Sequence, residues 1–413
     1  MAQSPRSKTY VVGHTDLDGI ARASAIARTL MEQGRDVEPV IVYSRRIPST
    51  MPNTLAEALK TWISERVPPG SEVIFEDIPV DVRNPTTYIE ALAQFARDRK
   101  VLWTDHHETD APFLKRMQDA GIQVLWFGPS AYEYTMALVQ WLGGNPQTIE
   151  HFAILSGFGD RDPHVIRVLR TRGEDIARWQ AISDGMDVLI REISTRSDPA
   201  DYRDFVHRLA TSWQDVFAEA STRASEIPEP RDVVRISSRV VLVREQLHPS
   251  WGPKSLERVA LRHGALYAIG VSQNPRDQTY QVRAITYWVA MVEDPSAVEI
   301  GRLSAFQRFL QQEGRQAYGP PGAPVVPGYT TFEQALASAE KLAKMIVESA
   351  YEPQVVSLIS DRYVARALAR DYGKIIELLE RIASALERGA SAKEEQVSLL
   401  RELYRSEPRT RYD

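Results

Sequence analysis

The chain has 413 residues, of which 43% are hydrophobic and 25% charged, a balance typical of globular proteins with two or three domains. The formal net charge of −5 argues against a basic surface that coats long nucleic acid. Because the chain has no cysteine, disulfides, thiolate metal sites and cysteine nucleophiles are excluded. Any metal ion must therefore be held by His, Asp or Glu.

The sequence also argues against a membrane protein. No apolar run approaches the roughly 20 residues that a membrane span needs. The first residues lack the apolar core of a signal peptide. We therefore expect a cytoplasmic protein with no membrane partner.

The first 160 residues alternate short apolar runs with amphipathic stretches. Strands are predicted at residues 10–12, 40–43, 73–75, 101–103 and 124–127, and helices at residues 20–31, 55–67, 88–96 and 113–120. Strands that alternate with helices form βαβ units, and continuous apolar runs are typical of strands buried on both faces. This pattern predicts an α/β fold built on a parallel sheet.

The rest of the chain divides into predicted domains by its pattern of helices, strands and prolines. Residues 131–225 are predicted to be helical, with a connector after the first domain, and the prolines in 226–231 mark a boundary. Strands at 240–243, 265–271 and 280–285 then indicate a smaller α/β domain. A Pro/Gly-rich loop is predicted at 318–328 and helices at 332–349 and 375–387. The predicted domains are residues 1–163, 164–230, 231–330 and 331–413.

The first cluster of chemical interest directly follows the first strand. His14, Asp16 and Asp18 alternate along the chain and are followed by Gly19. Alternate residues of an extended segment point the same way, so these three side chains can share one side of the turn. One imidazole and two carboxylates suit a divalent ion such as Mn²⁺.

Three further clusters follow at the ends of predicted elements. They are Glu76-Asp77 after the third strand, Asp105-His106-His107 after the fourth, and Asp160-Arg161-Asp162 after a helix. Alone, Asp77 could be a helix cap, and the last two aspartates could be turn residues. Ligands of parallel α/β sheets bind outside the carboxyl ends of the strands. Together, the four clusters therefore favour a site for two metal ions.

These motifs resemble those of the DHH phosphoesterase superfamily, which includes RecJ-like exonucleases, nano-RNases and manganese-dependent pyrophosphatases. The Asp-His-His motif that gives the superfamily its name lies at Asp105-His106-His107, and the HxDxDG motif runs from His14 to Gly19. The resemblance covers about residues 8–162. Many relatives carry a second domain with a Gly-Gly-Gly-His motif, and residues 233–330 lie in its place without that motif. This part is therefore expected to be a degenerate substrate-binding domain.

The resemblance implies roles for individual residues. One ion would be held by His14, Asp16 and Asp77, and the other by Asp18, Asp77, His106 and Asp160, with Asp162 as the alternative to Asp160. His107 would contact the substrate phosphate, and Asp105 would orient a metal-bound imidazole. Arg161 either contacts substrate or is an ordinary surface arginine.

The implied activity is hydrolysis of phosphodiester bonds in short oligonucleotides, dinucleotides or other phosphate esters. The implied cofactors are two divalent ions, Mn²⁺ or else Mg²⁺ or Co²⁺. A RecJ-like single-strand exonuclease, a nucleotide phosphomonoesterase and a polyphosphatase are the alternatives within the enzyme class. A non-catalytic binding or scaffold protein is the alternative of another class, and a homodimer is left open.

Overall fold

The computed structural model describes residues 8–43, 55–81, 84–196, 199–275, 277–294 and 297–349. All described residues belong to one compact unit, Met1–Ser349. The helix predicted at residues 375–387 lies outside the described residues. The division into four domains stays a prediction.

A five-stranded sheet forms the centre of the N-terminal half. Its strands are β1 (Thr9–His14), β2 (Val37–Tyr43), β3 (Glu72–Glu76), β4 (Lys100–Asp105) and β5 (Gln123–Trp126). They lie in the order β2-β1-β3-β4-β5, and all neighbouring strands are parallel. The predicted α/β fold with a parallel sheet is confirmed, because each apolar run that alternates with a helix became one of these strands.

Helices cover both faces of this sheet. They are α1 (Leu17–Glu32), α2 (Leu55–Ala58), α3 (Ser64–Arg66), α4 (Pro85–Phe95), α5 (Leu114–Asp119), α6 (Ala131–Trp141) and α7 (Pro146–Gly159). A π-helical turn, Leu59–Ile63, joins α2 to α3, and a 3-10 turn, Glu108–Phe113, precedes α5. Successive strand residues point to opposite faces, so Val11 packs with α1, α6 and α7, whereas Val12 packs with α2, α4 and α5.

Four more helices follow in the chain, and the last three of them extend the core on the α1 side. They are α8 (Pro163–Thr171), α9 (Ile176–Arg196), α10 (Pro199–Thr211) and α11 (Trp213–Arg223). The helical character predicted for this stretch is therefore confirmed. Helices α9 and α11 approach closely, since a Cβ on Gly185 would lie 1.6 Å from the carbonyl oxygen of Ala220. Met186, Phe205 and Phe217 join the same buried cluster as α1.

A second sheet follows in the chain. Its strands are β6 (Val233–Arg235), β7 (Val240–Leu247), β8 (Tyr267–Gln273), β9 (Tyr280–Thr286) and β10 (Val325–Tyr329), in the order β10-β9-β8-β7-β6. Only the β7–β8 pair is parallel. The helices of this part are α12 (Gly252–His263), α13 (Trp288–Glu293), α14 (Ser304–Glu313) and α15 (Phe332–Ser349).

The second sheet packs on both faces. Phe306, Phe309 and Leu342 of α14 and α15 cover one face. The other face packs against α12 and, through Phe158 and Val165, against the end of α7 and the start of α8. This contact brings α12 beside the carboxyl edge of the first sheet. None of the described helices is both long and apolar enough to cross a membrane.

One predicted loop is partly wrong. Residues 318–328 were expected to be irregular, but β10 begins at Val325 and pairs antiparallel with β9. The strand lies at the sheet edge, where Pro327 is tolerated because its missing N–H faces no partner strand. The register also shifts between Val326 and Tyr329, which accommodates Pro327 and Gly328.

Candidate metal centre

Three adjacent strands deliver the candidate ligands to one edge of the first sheet. Strand β1 ends at His14, β3 at Glu76 and β4 at Asp105, and these strands are neighbours in the order β1-β3-β4. Because the strands are parallel, their carboxyl ends meet at the same edge. The fourth cluster arrives from α7, which ends at Gly159.

The turn from β1 into α1 is tight. Asp16 is the N-cap of α1, and its side chain accepts a hydrogen bond from the Gly19 N–H at 3.3 Å. A Cβ on Gly19 would lie 2.8 Å from the His14 carbonyl oxygen, so the turn requires glycine. The His14 Nδ1 lies 2.6 Å from an Asp16 carboxylate oxygen.

Asp77 occupies a strained backbone position directly after β3. Its φ is +56°, a left-handed conformation that non-glycine residues seldom adopt, and its side chain is 2% exposed. Backbone strain of this kind concentrates at functional sites. In this conformation, Oδ1 of Asp77 lies 3.5 Å from Nε2 of His106.

His106 is oriented by a backbone carbonyl. Its Nδ1 lies 3.2 Å from the carbonyl oxygen of Pro129, which can only accept, so Nδ1 donates this hydrogen bond and Nε2 faces Asp77. The buried Nε2 has no hydrogen-bond partner among the described residues. This is the arrangement of a metal-ligating histidine.

Asp105 orients a different imidazole from the one expected. It was predicted to orient a metal-bound histidine, but its Oδ1 lies 2.6 Å from Nδ1 of His107 and accepts the backbone N–H of both His106 and His107. Burial lowers the pKa of His107, yet the hydrogen bond and charge of Asp105 outweigh burial and raise the pKa to about 9. His107 is therefore an imidazolium at neutral pH.

After the end of α7, Asp160 and Asp162 have different neighbours. A Cβ on Gly159 would lie 2.7 Å from the Asp18 backbone nitrogen, so this glycine lets Asp160 approach Asp18 and His106. Asp162 is instead the N-cap of α8 and accepts hydrogen bonds from the backbone N–H of His164 and the hydroxyl of Ser130. The geometry therefore favours Asp160 over Asp162 as the late ligand.

Arg161 lies between these two aspartates in a left-handed conformation, with φ +54°. Its guanidinium pairs with Glu257 of α12. Two roles were predicted for Arg161, a substrate contact and an ordinary surface position. Both stay open, because Arg161 lines a cavity beside the candidate ligands and also pairs with Glu257.

The predicted ligands converge into three overlapping groups. In each group the ligand atoms lie within 4.8 Å of one another: His14, Asp16 and Asp77; Asp18, His106 and Asp160; and Asp77, Asp105, His106 and His107. Burial and the charges of Asp16 and Asp77 raise the pKa of Asp18 well above its usual value. Crowded carboxylates, an unpartnered imidazole nitrogen and an all-N/O donor set fit borderline or hard divalent ions.

Sequence reasoning missed two buried members of this centre. Arg22 is fully buried on α1 and donates to Asp18 at 2.6 Å and to Glu76 at 3.2 Å. Glu76 was quoted within a cluster but was given no role. Arg22 stands four residues after Asp18, the spacing of an ion pair on one helix face, in a stretch that is otherwise small and apolar. This spacing could have signalled the pair.

A cavity of about 360 Å³ opens from the candidate metal centre toward α12. It is lined on one side by Asp16, Asp18, His107, Asp160 and Arg161, and on the other by Gln180, Asp187, Lys254, Glu257 and Trp288. Lys254 bonds to Asp187 at 2.9 Å. Helices α9, α12 and α13 thus supply one wall of the space beside the predicted ligands.

No family model and no curated protein matches this chain. A manganese-bound exonuclease RecJ is similar over 86% of this chain and 93% of its own, with 16% identity and a TM-score of 0.37. The pGpG-specific phosphodiesterase PggH from Vibrio cholerae is similar over 83% of this chain and 99% of its own, with 10% identity and a TM-score of 0.45.

The RecJ of Thermus thermophilus in complex with Mn²⁺ is similar over 83% of this chain, with 14% identity and a TM-score of 0.39. This chain matches 52% of that protein's length. At such identities the likeness concerns the fold alone, and residue roles rest on the geometry above. RecJ and PggH are DHH superfamily proteins. The likeness of this chain to these structures does not by itself assign it to the superfamily.

Proposed function

We propose that this chain is a two-metal phosphoesterase that hydrolyses phosphodiester bonds of short oligonucleotides or dinucleotides. The proposal is carried by the convergence of imidazoles and carboxylates from the ends of β1, β3 and β4, the start of α1 and the end of α7, in three overlapping groups. Within each group the ligand atoms lie within 4.8 Å of one another. Mn²⁺ is the proposed ion, because the donors are nitrogen and oxygen only.

The ligand sets follow the overlapping groups. His14, Asp16 and Asp77 would hold one ion, and Asp18, His106 and Asp160 the other. Asp77 would contribute to the second ion as well, since its Oδ1 lies 3.5 Å from Nε2 of His106. When bound, such ions lower the pKa of a coordinated water and offset charge on phosphate oxygens.

His107 would act on the substrate directly. Its side chain is 38% exposed and lines the cavity, and Asp105 keeps it protonated. It would donate a hydrogen bond to a phosphate oxygen and hold the ester against the centre. Asp105 is the residue that positions it.

The size of the cavity supports a short substrate. Its 360 Å³ lies within the roughly 300–1,000 Å³ of small-molecule sites, and α12 closes one side. The net charge of −5 also disfavours tracking along a long strand. Both features favour a dinucleotide over a polymer.

A substrate panel tests the proposal. Chelator-stripped protein is reloaded with Mn²⁺ and given a 5′-phosphorylated dinucleotide, a long single-stranded DNA, a nucleoside monophosphate and pyrophosphate, with products separated by chromatography. The dinucleotide should be hydrolysed fastest, and stripped protein should be inactive. Protein that binds Mn²⁺ yet hydrolyses none of these substrates would instead be a binding or scaffold protein.

A further inference from the structure

Arg161 occupies a position after α7 where helices most often place glycine. Its N–H donates to the carbonyl oxygen of Phe158 at 3.4 Å, and the N–H of Asp162 donates to that of Gly157 at 2.7 Å. These two hydrogen bonds around a left-handed residue form a Schellman motif, in which glycine avoids the strain of that conformation. The turn alone therefore gives no reason for an arginine, and its side chain must supply one.

The guanidinium of Arg161 pairs with a buried carboxylate, that of Glu257 on α12. The Glu257 side chain is 3% exposed, and a carboxylate buried to this extent is costly unless a cation compensates it. A second cation, Lys254, lies 3.7 Å from Glu257 on the same helix, but it lies closer, at 2.9 Å, to Asp187 of α9. Because Lys254 is shared in this way, Glu257 depends on Arg161 for much of its compensation.

The Arg161–Glu257 pair joins the two walls of the cavity beside the candidate metal centre. Arg161 lies on the wall that carries Asp160, whereas Glu257 lies on the wall formed by α9, α12 and α13. The turn that carries Arg161 is fixed on its own side, because Asp162 caps α8 and accepts a hydrogen bond from the Ser130 hydroxyl. The pair therefore anchors α12 to a turn that is already held in place.

We propose that Arg161 is a positioning residue that acts through Glu257, so that the pair holds α12 as the far wall of the cavity and sets the affinity for a short substrate. The inference rests on the proposed function, because it takes this cavity as the substrate site. Arg161 makes no bond to the substrate phosphate, which His107 contacts. When the pair is lost, α12 is in place in only a fraction of the molecules, and the apparent substrate affinity falls by that fraction.

Michaelis constants for a 5′-phosphorylated dinucleotide, measured with Mn²⁺-loaded protein, test the inference. Arg161→Met and Glu257→Met each break the pair. The first variant leaves Glu257 beside Lys254, and the second leaves Lys254 beside Asp187, so neither strands a buried charge. Each should raise KM by about tenfold, within the range of coupling between residues in contact, with kcat changed less. The double variant should raise KM no further, because either substitution alone removes the pair.

Two further variants guard this test. Arg161→Gly also removes the guanidinium but suits the left-handed position, so it keeps the turn and should give the same KM as Arg161→Met. Arg172→Met is the matched control, because Arg172 is 44% exposed and pairs with the more buried Glu150, and neither residue lines the cavity. It should leave KM unchanged. Circular dichroism reports folding of each variant.

A direct contact between Arg161 and substrate would give a different pattern. Arg161→Met would then raise KM, whereas Glu257→Met would leave KM unchanged or lower it, because the guanidinium would be released toward the substrate. That pattern overturns the inference.

Hydrogen exchange of α12 gives a readout that needs no substrate. Amide exchange, followed by mass spectrometry of the full chain, should be faster in α12 of both Met variants and no faster still in the double variant, because one anchor is lost in all three. Unchanged exchange of α12 in both Met variants overturns the inference. If exchange rises as expected but the unmodified chain hydrolyses no phosphate ester, the anchor is supported and the proposed function is contradicted.

Discussion

Polar side chains of the second sheet bond to one another, whereas several buried ones at the carboxyl edge of the first sheet do not. Gln281 and Arg283 both donate to the Ser272 hydroxyl, and the Tyr318 hydroxyl donates to Gln281. At the first sheet, Oδ2 of Asp105 and Nε2 of His106 have no hydrogen-bond partner among the described residues. Such orphaned groups cost stability.

The difference suggests what each region is for. The second sheet has the satisfied polar groups and the aromatic core, with Phe306 and Phe309, of a part built for stability. The edge of the first sheet keeps a strained residue, Asp77, and crowded carboxylates whose burial and mutual repulsion raise the pKa of Asp18. Substitutions at the edge should therefore affect activity, and those in the second core should affect folding.

Asp77→Asn should have the largest effect on activity. Asparagine tolerates the left-handed conformation at this position, so the fold should persist while one proposed ligand loses its charge. We expect kcat/KM to fall by about a thousandfold or more, beyond the about 10–100-fold cost of losing an outer partner of a ligand. Steady-state kinetics with Mn²⁺ measure this, with the exposed Asp119→Asn as control. Full turnover by Asp77→Asn would refute the ligand role.

Phe309→Ala should produce the largest loss of stability. Phe309 is fully buried between α14 and the second sheet, and truncation of a buried phenylalanine costs about 3–5 kcal/mol of unfolding free energy. Urea denaturation measures the loss. Under conditions where the variant is folded, its Mn²⁺ affinity should match that of the unmodified chain. A tenfold weaker affinity would show that the two regions are coupled.

Asp105→Asn should have an intermediate effect. The variant keeps the shape of the side chain but removes the charge that keeps His107 protonated. We expect kcat/KM to fall by about 10–100-fold, with Mn²⁺ affinity changed less. If Mn²⁺ affinity falls more than kcat/KM, then Asp105 acts on a bound ion rather than on His107.

His151→Gln should show the smallest effect, confined to acid. Burial and then the charge of Arg28 lower the pKa of His151 to about 3, and its ring stacks on Trp213 with centroids 3.9 Å apart. The unfolded chain binds this proton near pH 6.5, so the stability from the neutral imidazole is fully present above that pH. It is lost as pH falls toward 3.

Thermal unfolding at several pH values checks this prediction. The midpoint of the unmodified chain should fall more steeply between pH 6.5 and 4 than that of the variant. Parallel curves would show that His151 does not contribute to acid lability.

The sequence by itself determined the first sheet and the candidate ligands. Apolar runs alternating with amphipathic helices are local patterns, so they specify βαβ units before any tertiary contact forms. The placement of His14, Asp77 and Asp105 at strand ends follows from the same pattern, because parallel strands end at one edge. The Pro/Gly segment misled the prediction of secondary structure, since an edge strand tolerates residues that are typical of loops.

Tertiary structure alone decided which neighbour each polar group meets. The adjacency of Asp160 to Asp18 depends on the close approach of Gly159, and the pairing of Asp105 with His107 depends on the turn after β4. The burial of Arg22 against Glu76 joins residues 54 positions apart. Such contacts are set by how helices pack on the sheet, and local sequence patterns do not specify that packing.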